Sequence, residues 1–137
     1  VTADNYTITQ GDKLPEFKEK MIKAKFQEIK KNLRINEQTM EKFRPVYYKY
    51  QRDLIRIDSK LPVRMMKVDA DSLSADEASR IIENQFMVAK RRLNVRERYY
   101  LELKTVLTPQ QILKLYQIES KIGTKVVAEG RKRIQEL

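Results

Sequence analysis

The side chains with the most chemical potential in this sequence are cations. Lys90-Arg91-Arg92, followed by Arg96 and Arg98, is the densest basic cluster, with Tyr99 and Tyr100 beside it. Such a group attracts anions at long range and can stack on planar partners. The groups that break bonds are scarce. The chain has no His and no Cys, so the common general base, metal ligand and strong nucleophile are all missing. Ser59, Ser72, Ser74, Ser79 and Ser120 lie in neither a Gly-x-Ser-x-Gly turn nor a Ser-x-x-Lys motif. The 3 Gly are scattered and cannot form a phosphate loop. Asp69-Ala70-Asp71 has the spacing of a calcium loop, but Ser74 and Arg80 stand where that loop needs Gly and Glu. Met65 and Met66 could offer soft thioethers to Cu(I). Core filling and hydrophobic contact are the expected uses of the methionines, with Met21 and Met40 on core faces. An enzyme is not expected, and neither is a metal or another cofactor.

The charge balance points in the same direction. A net +10, from 29 basic and 19 acidic residues, suits acidic partners such as nucleic acid, anionic lipid or acidic protein; a solvated Lys-rich surface accounts for it equally. No apolar run approaches the ~18 residues of a membrane span. The chain opens Val-Thr-Ala-Asp, which fits a mature form with its leader removed or a trimmed chain.

These side chains must be positioned by helices. With 3 Gly, 4 Pro and 35% charged residues in 137, an all-α single domain is expected. Residues 1–12 read as a flexible arm and 13–137 as the helical domain. A first helix spans about 15–33, with Phe17, Met21 or Ile22, Phe26, Ile29 and Leu33 at helical spacing. A second runs about 37–61 from the cap residue Asn36. Met40, Phe43, Tyr47, Tyr50, Leu54, Ile57 and Leu61 form its heptad seam, and Pro45 predicts a kink near Lys42 to Arg44. Residues 61–73 read as a loop, with Pro62 ending the helix. A third helix spans about 75–105, capped by Ser74 with Glu77 in a capping box. Ile82, Phe86, Ala89, Leu93, Tyr100, Leu103 and Leu107 repeat the heptad steps, with Arg96 in the missing slot. Tyr47, Tyr50, Phe86 and Tyr100 are therefore expected in the core. The fourth helix, about 109–135, has the fullest start: Leu107 as staple to Ile112, Thr108 as cap, Pro109 at the first position and Gln111 reaching back. Gly123 and Gly130 weaken it or permit close packing, and Arg131, Lys132 and Arg133 suit its C-terminal end.

Leu107-Thr108-Pro109-Gln110-Gln111 resembles the Leu-Thr-x-x-Gln motif of the periplasmic Spy and CpxP family, including its relatives labelled heavy-metal sensors. Met40 to Tyr50 resembles that family's Glu-Lys-Phe-x-Pro-x-Tyr-x-x-Tyr element, and Lys114-Leu115-Tyr116-Gln117 continues the second motif. The first motif is altered, with Ile35, Asn36 and Thr39 in place of Leu, Thr and Gln. Thr39 is too short to reach back as Gln does.

The resemblance implies four long, kinked and curved helices in hairpins, paired as an antiparallel homodimer in the periplasm. It implies an ATP-independent chaperone or stress-response adaptor holding partly unfolded proteins on a basic, partly apolar concave face. The metal-sensing branches rely on His, which this chain lacks. The expected contact residues are Arg44, Tyr48, Met65, Met66, Lys90, Arg91, Arg92 and Arg96. Two other classes stand beside this one. One is a regulatory partner of a membrane signalling or sigma-factor system without chaperone activity. The other is a basic helical nucleic-acid-binding protein, whose affinity would fall steeply with salt.

Overall fold

The computed structural model describes residues 14–57 and 65–136, with side chains to Gly123. The described residues form no strand. Four long helices carry the fold: α1 (Glu16–Asn32), α2 (Glu37–Arg56), α3 (Ala75–Leu103) and α4 (Pro109–Glu136). A short 3-10 turn, Ala70–Ser72, precedes α3. The expected arm at residues 1–12, the Leu61-Pro62 helix end and the side chains of Gly130 to Arg133 lie outside the described residues.

Three of the four long helices start on a side-chain cap; α1, which follows Pro15, has none. The Asn36 side chain accepts from the Thr39 amide at 2.7 Å, and Thr39 returns no bond, so this cap is one-sided. The Ser74 hydroxyl accepts from the Glu77 amide and donates to the Glu77 carboxylate, both at 3.1 Å. The third start is reciprocal. The Gln111 amide donates to the Thr108 hydroxyl at 3.2 Å, and the Thr108 amide donates to the Gln111 side-chain oxygen at 2.9 Å. Leu107 and Ile112 are both buried beside it, as a hydrophobic staple requires. Asp69 uses its carboxylate to accept from the Asp71 amide, which is a turn cap and not a calcium ligand arrangement.

The core is built on α2. Met40, Phe43, Tyr47, Tyr50 and Leu54 are all buried, so the heptad seam holds over this length. The helix crosses Pro45 without ending. It stops at Arg56, short of the expected residue 61, because Ile57 adopts an extended backbone. α1 pairs with it as an antiparallel hairpin. Phe26 stacks on Phe43 and Tyr47, each with ring centroids 6.0 Å apart, while Glu19, nearer the start of α1, meets Arg52 in a two-pronged ion pair. α3 is antiparallel to α2 as well: Tyr99 stacks on Tyr50 at 5.4 Å and Glu102 pairs with Lys49. α4 closes the core with Ile112, Leu115 and Ile118.

Two expectations for α1 fail. Phe17 and Met21 are exposed, and the buried stripe is Ile22, Phe26, Ile29 and Leu33. Extending that stripe towards the N-terminus reaches Lys18 and Glu19, not Phe17, at about 100° per residue. The helix spends its inward position there on the Glu19–Arg52 pair.

Two stability predictions follow from this packing. A Cβ added at Gly123 would meet nothing within 4 Å, so this glycine serves no close approach. Gly123→Ala should stabilise the chain by about 0.5–1 kcal/mol, read as a higher urea midpoint; a lower midpoint would refute the open geometry. The Tyr47 hydroxyl is buried with no hydrogen-bond partner. Tyr47→Phe removes a polar group already stripped of water, so it should be neutral or stabilising by up to about 1 kcal/mol. A loss of more than that would mean the hydroxyl is bonded in solution.

Candidate functional site

α3 presents three faces with different chemistry. The inward face is carried by Val95, Tyr99 and Leu103, with Arg92 turned to the same side. About 100° round the helix stands the stripe Ile82, Phe86, Leu93 and Tyr100. Every member of it is exposed, Phe86 and Leu93 by more than half. Phe86 and Tyr100 were expected in the core, and both expectations fail. The heptad seam read in the sequence holds at its end, where Leu103 and Leu107 are buried; further up α3 the fold packs the neighbouring face, and Tyr99 takes the buried place. A third face brings Met87, Lys90 and Arg91 side by side at i, i+3 and i+4. Met87 is 47% exposed and both cations are exposed with no carboxylate partner among the described residues.

The expected contact residues separate into used and unused groups. Arg44 is only one-third exposed; it pairs with Glu41 at 3.3 Å and lies 5.4 Å over the Phe26 ring. Tyr48 is half-buried, stacked on Phe26 at 5.5 Å under Arg52. Both take part in the α1–α2 packing. Arg96 lies 5.3 Å over Tyr116 of α4. Met65 is half-buried and Met66 fully presented in a helical turn at 65–67. Lys90, Arg91 and Arg92 lie on one helix yet do not form one patch, because at about 100° per residue Arg92 falls on the side of Val95 and Tyr99.

A polar network was missed altogether. Gln51 is buried among the α2 aromatics and donates to the Glu119 carboxylate at 3.1 Å. Lys25 of α1 donates to the Gln51 oxygen at 3.5 Å. Burial pushes the Glu119 carboxyl above its ordinary value, and the positive charge of Lys25, the bond from Gln51, and Arg96 and Arg92 work against the rise. Burial also raises Tyr50, to about 12, helped by the Glu119 charge and opposed by Arg96. On the other side of α2, Asp53 accepts from Tyr99 at 2.6 Å, Arg98 at 2.7 Å and Arg56 at 3.2 Å. The only sequence signal for either network is a polar residue flanking a seam position, Gln51 after Tyr50 and Asp53 before Leu54. Among the described residues no three carboxylates, His or Cys come together as a metal site. No described helix is long and apolar enough to cross a membrane.

Comparison with family models, with curated proteins and with solved structures finds no match to this chain. The chemistry of its own surface therefore carries the functional argument. Among the described residues that surface offers an exposed apolar stripe and, beside it on the same helix, a face of two unpaired cations and a thioether.

Glu119 makes one pH effect testable. Its folded value lies above the ordinary one, so the folded chain keeps a proton that the unfolded chain has released. Stability from this group is present below the ordinary carboxylate range and is lost as pH rises through the raised value. Glu119→Gln stays neutral throughout. Its stability relative to the parent chain should grow with pH across that window in urea unfolding series. A difference that does not change with pH would show that Lys25, Arg92 and Arg96 fully offset the burial.

Proposed function

We propose that this chain is a non-enzymatic, ATP-independent holder of partly unfolded proteins, working in the periplasm as an antiparallel homodimer. The observation that carries this reading is the exposed Met87–Lys90–Arg91 face of α3. Its cations draw in acidic segments at long range, and the flexible thioether accepts varied apolar side chains with little demand on shape. Met66 adds a second such contact. Contacts of this kind are weak one by one, which suits a partner that must let go without ATP. The Leu107–Gln111 motif and the Met40–Tyr50 element, which resemble the Spy and CpxP family, support the same reading.

The homodimer rests on the apolar stripe. Ile82, Phe86, Leu93 and Tyr100 hold heptad spacing and are exposed among the described residues. Heptad spacing suits a second helix lying along the first. A second copy offers an identical stripe, and the two run antiparallel under a two-fold axis across it.

The test is suppression of light scattering by an aggregating, chemically denatured protein with no ATP present. Suppression that saturates near one dimer per client is expected. K90E/R91E should weaken it several-fold while leaving the dimer intact in size-exclusion light scattering, whereas Leu93→Asp should yield monomer. No suppression at any ratio overturns the reading and leaves a dedicated regulatory partner of a membrane signalling protein as the better account.

A further inference from the structure

A groove of about 900 Å³ lies between the C-terminal end of α1 and the first half of α4, away from the Met87–Lys90–Arg91 face. That volume falls within the range of sites that enclose a bound molecule. Its rim carries Lys31 and Arg34 from the α1 end and Lys114 and Lys121 from α4, against the single carboxylate of Glu28. Glu28 stands 4.0 Å from Lys31, an open and mostly exposed ion pair that neutralises little. Arg34, Lys114 and Lys121 are exposed and have no carboxylate partner among the described residues.

The groove is not only a charged surface. Its floor is Ile118, buried, and Ile122, half-buried. The amide side chains of Asn32 and Gln117 also line it; the Asn32 amide donates to the Glu28 carbonyl within α1, and Gln117 is exposed. Amides pair with peptide N–H and C=O groups, and the isoleucines accept aliphatic side chains. A phosphate chain would use the cations and the amide N–H groups but not the isoleucine floor. From Gln110 to Ile122 the lining runs along 13 residues of α4, 12 steps or roughly 18 Å at the helical rise. About five or six residues of extended chain cover that length, with side chains alternating to floor and rim.

We infer that this groove is a recognition site for a short, extended acidic peptide with an apolar residue at every second position. The carboxylates face Arg34, Lys31, Lys114 and Lys121, and the apolar residues face Ile118 and Ile122. This goes beyond holding unfolded chains on α3, and it requires no part of that activity.

The probe is a labelled eight-residue peptide of alternating glutamate and leucine, titrated in fluorescence anisotropy. Affinity should fall as salt rises, because the rim charges are solvent-exposed. K114E/K121E should weaken binding by at least about tenfold, since two attractions become repulsions. K114R/K121R keeps the charges and should bind like the parent chain, which separates lost charge from lost fold. Replacing every glutamate of the peptide by glutamine should weaken binding comparably. Unchanged affinity in K114E/K121E overturns the assignment. So does loss of binding in K90E/R91E alone, which would move the peptide to α3. Inorganic polyphosphate of matched charge binding as tightly as the peptide also overturns it, because the apolar floor would then contribute nothing. The peptide measurement reads this groove whether or not the chain suppresses aggregation.

Discussion

The buried seam of α2 is the constraint that the rest of the molecule obeys. Met40, Phe43, Tyr47, Tyr50 and Leu54 face inward, and α1 and α3 lie antiparallel along the same helix. α4 reaches it through Glu119. One helix therefore satisfies three neighbours, and a purely apolar stripe is too narrow for that. The surplus is met by polar residues at the edges of the seam. Gln51 links α1 and α4 on one side, and Asp53 holds Tyr99 and Arg98 of α3 on the other. Glu119 is the cost of this arrangement, since it keeps a carboxyl where burial disfavours its charge. The Tyr47 hydroxyl shares the same low-dielectric surroundings without a partner.

Local signals were legible and long-range choices were not. Asn36, Ser74 and Thr108 cap their helices as their types and followers indicate, because capping involves residues within one turn. The α2 seam was legible because its apolar residues are unbroken over two heptads and a helix with that stripe has one face to bury. α3 offered two candidate faces, and the sequence favoured the more apolar one. Packing chose the other, because Tyr99 can give its hydroxyl to Asp53 while its ring meets Tyr50. That preference depends on two residues of α2 more than forty positions away, which no local pattern contains. Phe17 fails for a related reason: the inward position goes to Glu19 once Arg52 is placed opposite.

The basic cluster shows how a linear run divides on a helix. Lys90, Arg91 and Arg92 are adjacent in sequence but point about 100° apart. Arg92 joins the electrostatics of Glu119, while Lys90 and Arg91 stay in solvent beside Met87. Arg44 and Arg96 are drawn onto the aromatic rings of Phe26 and Tyr116 and help to build the fold. A net charge of +10 therefore resolves into cations that hold the protein together and cations that remain available. Among the available ones are Lys90 and Arg91 on α3 and those around the groove between α1 and α4.

The burial pattern of α3 has a dynamic consequence. Tyr99 and Leu103 are its only buried residues, and both stand in its last turns. The C-terminal end is tied to the global unfolding of the core, whereas the first five turns depend chiefly on their own hydrogen bonds. Such a helix opens locally at low free-energy cost, and its backbone amides exchange with solvent deuterium along a gradient from slow to fast. Covering the Phe86–Leu93 stripe adds apolar contacts only to the fast-exchanging part. Local order at one end of α3 is then open to whatever covers that stripe, and at the other end it is set by the intact core.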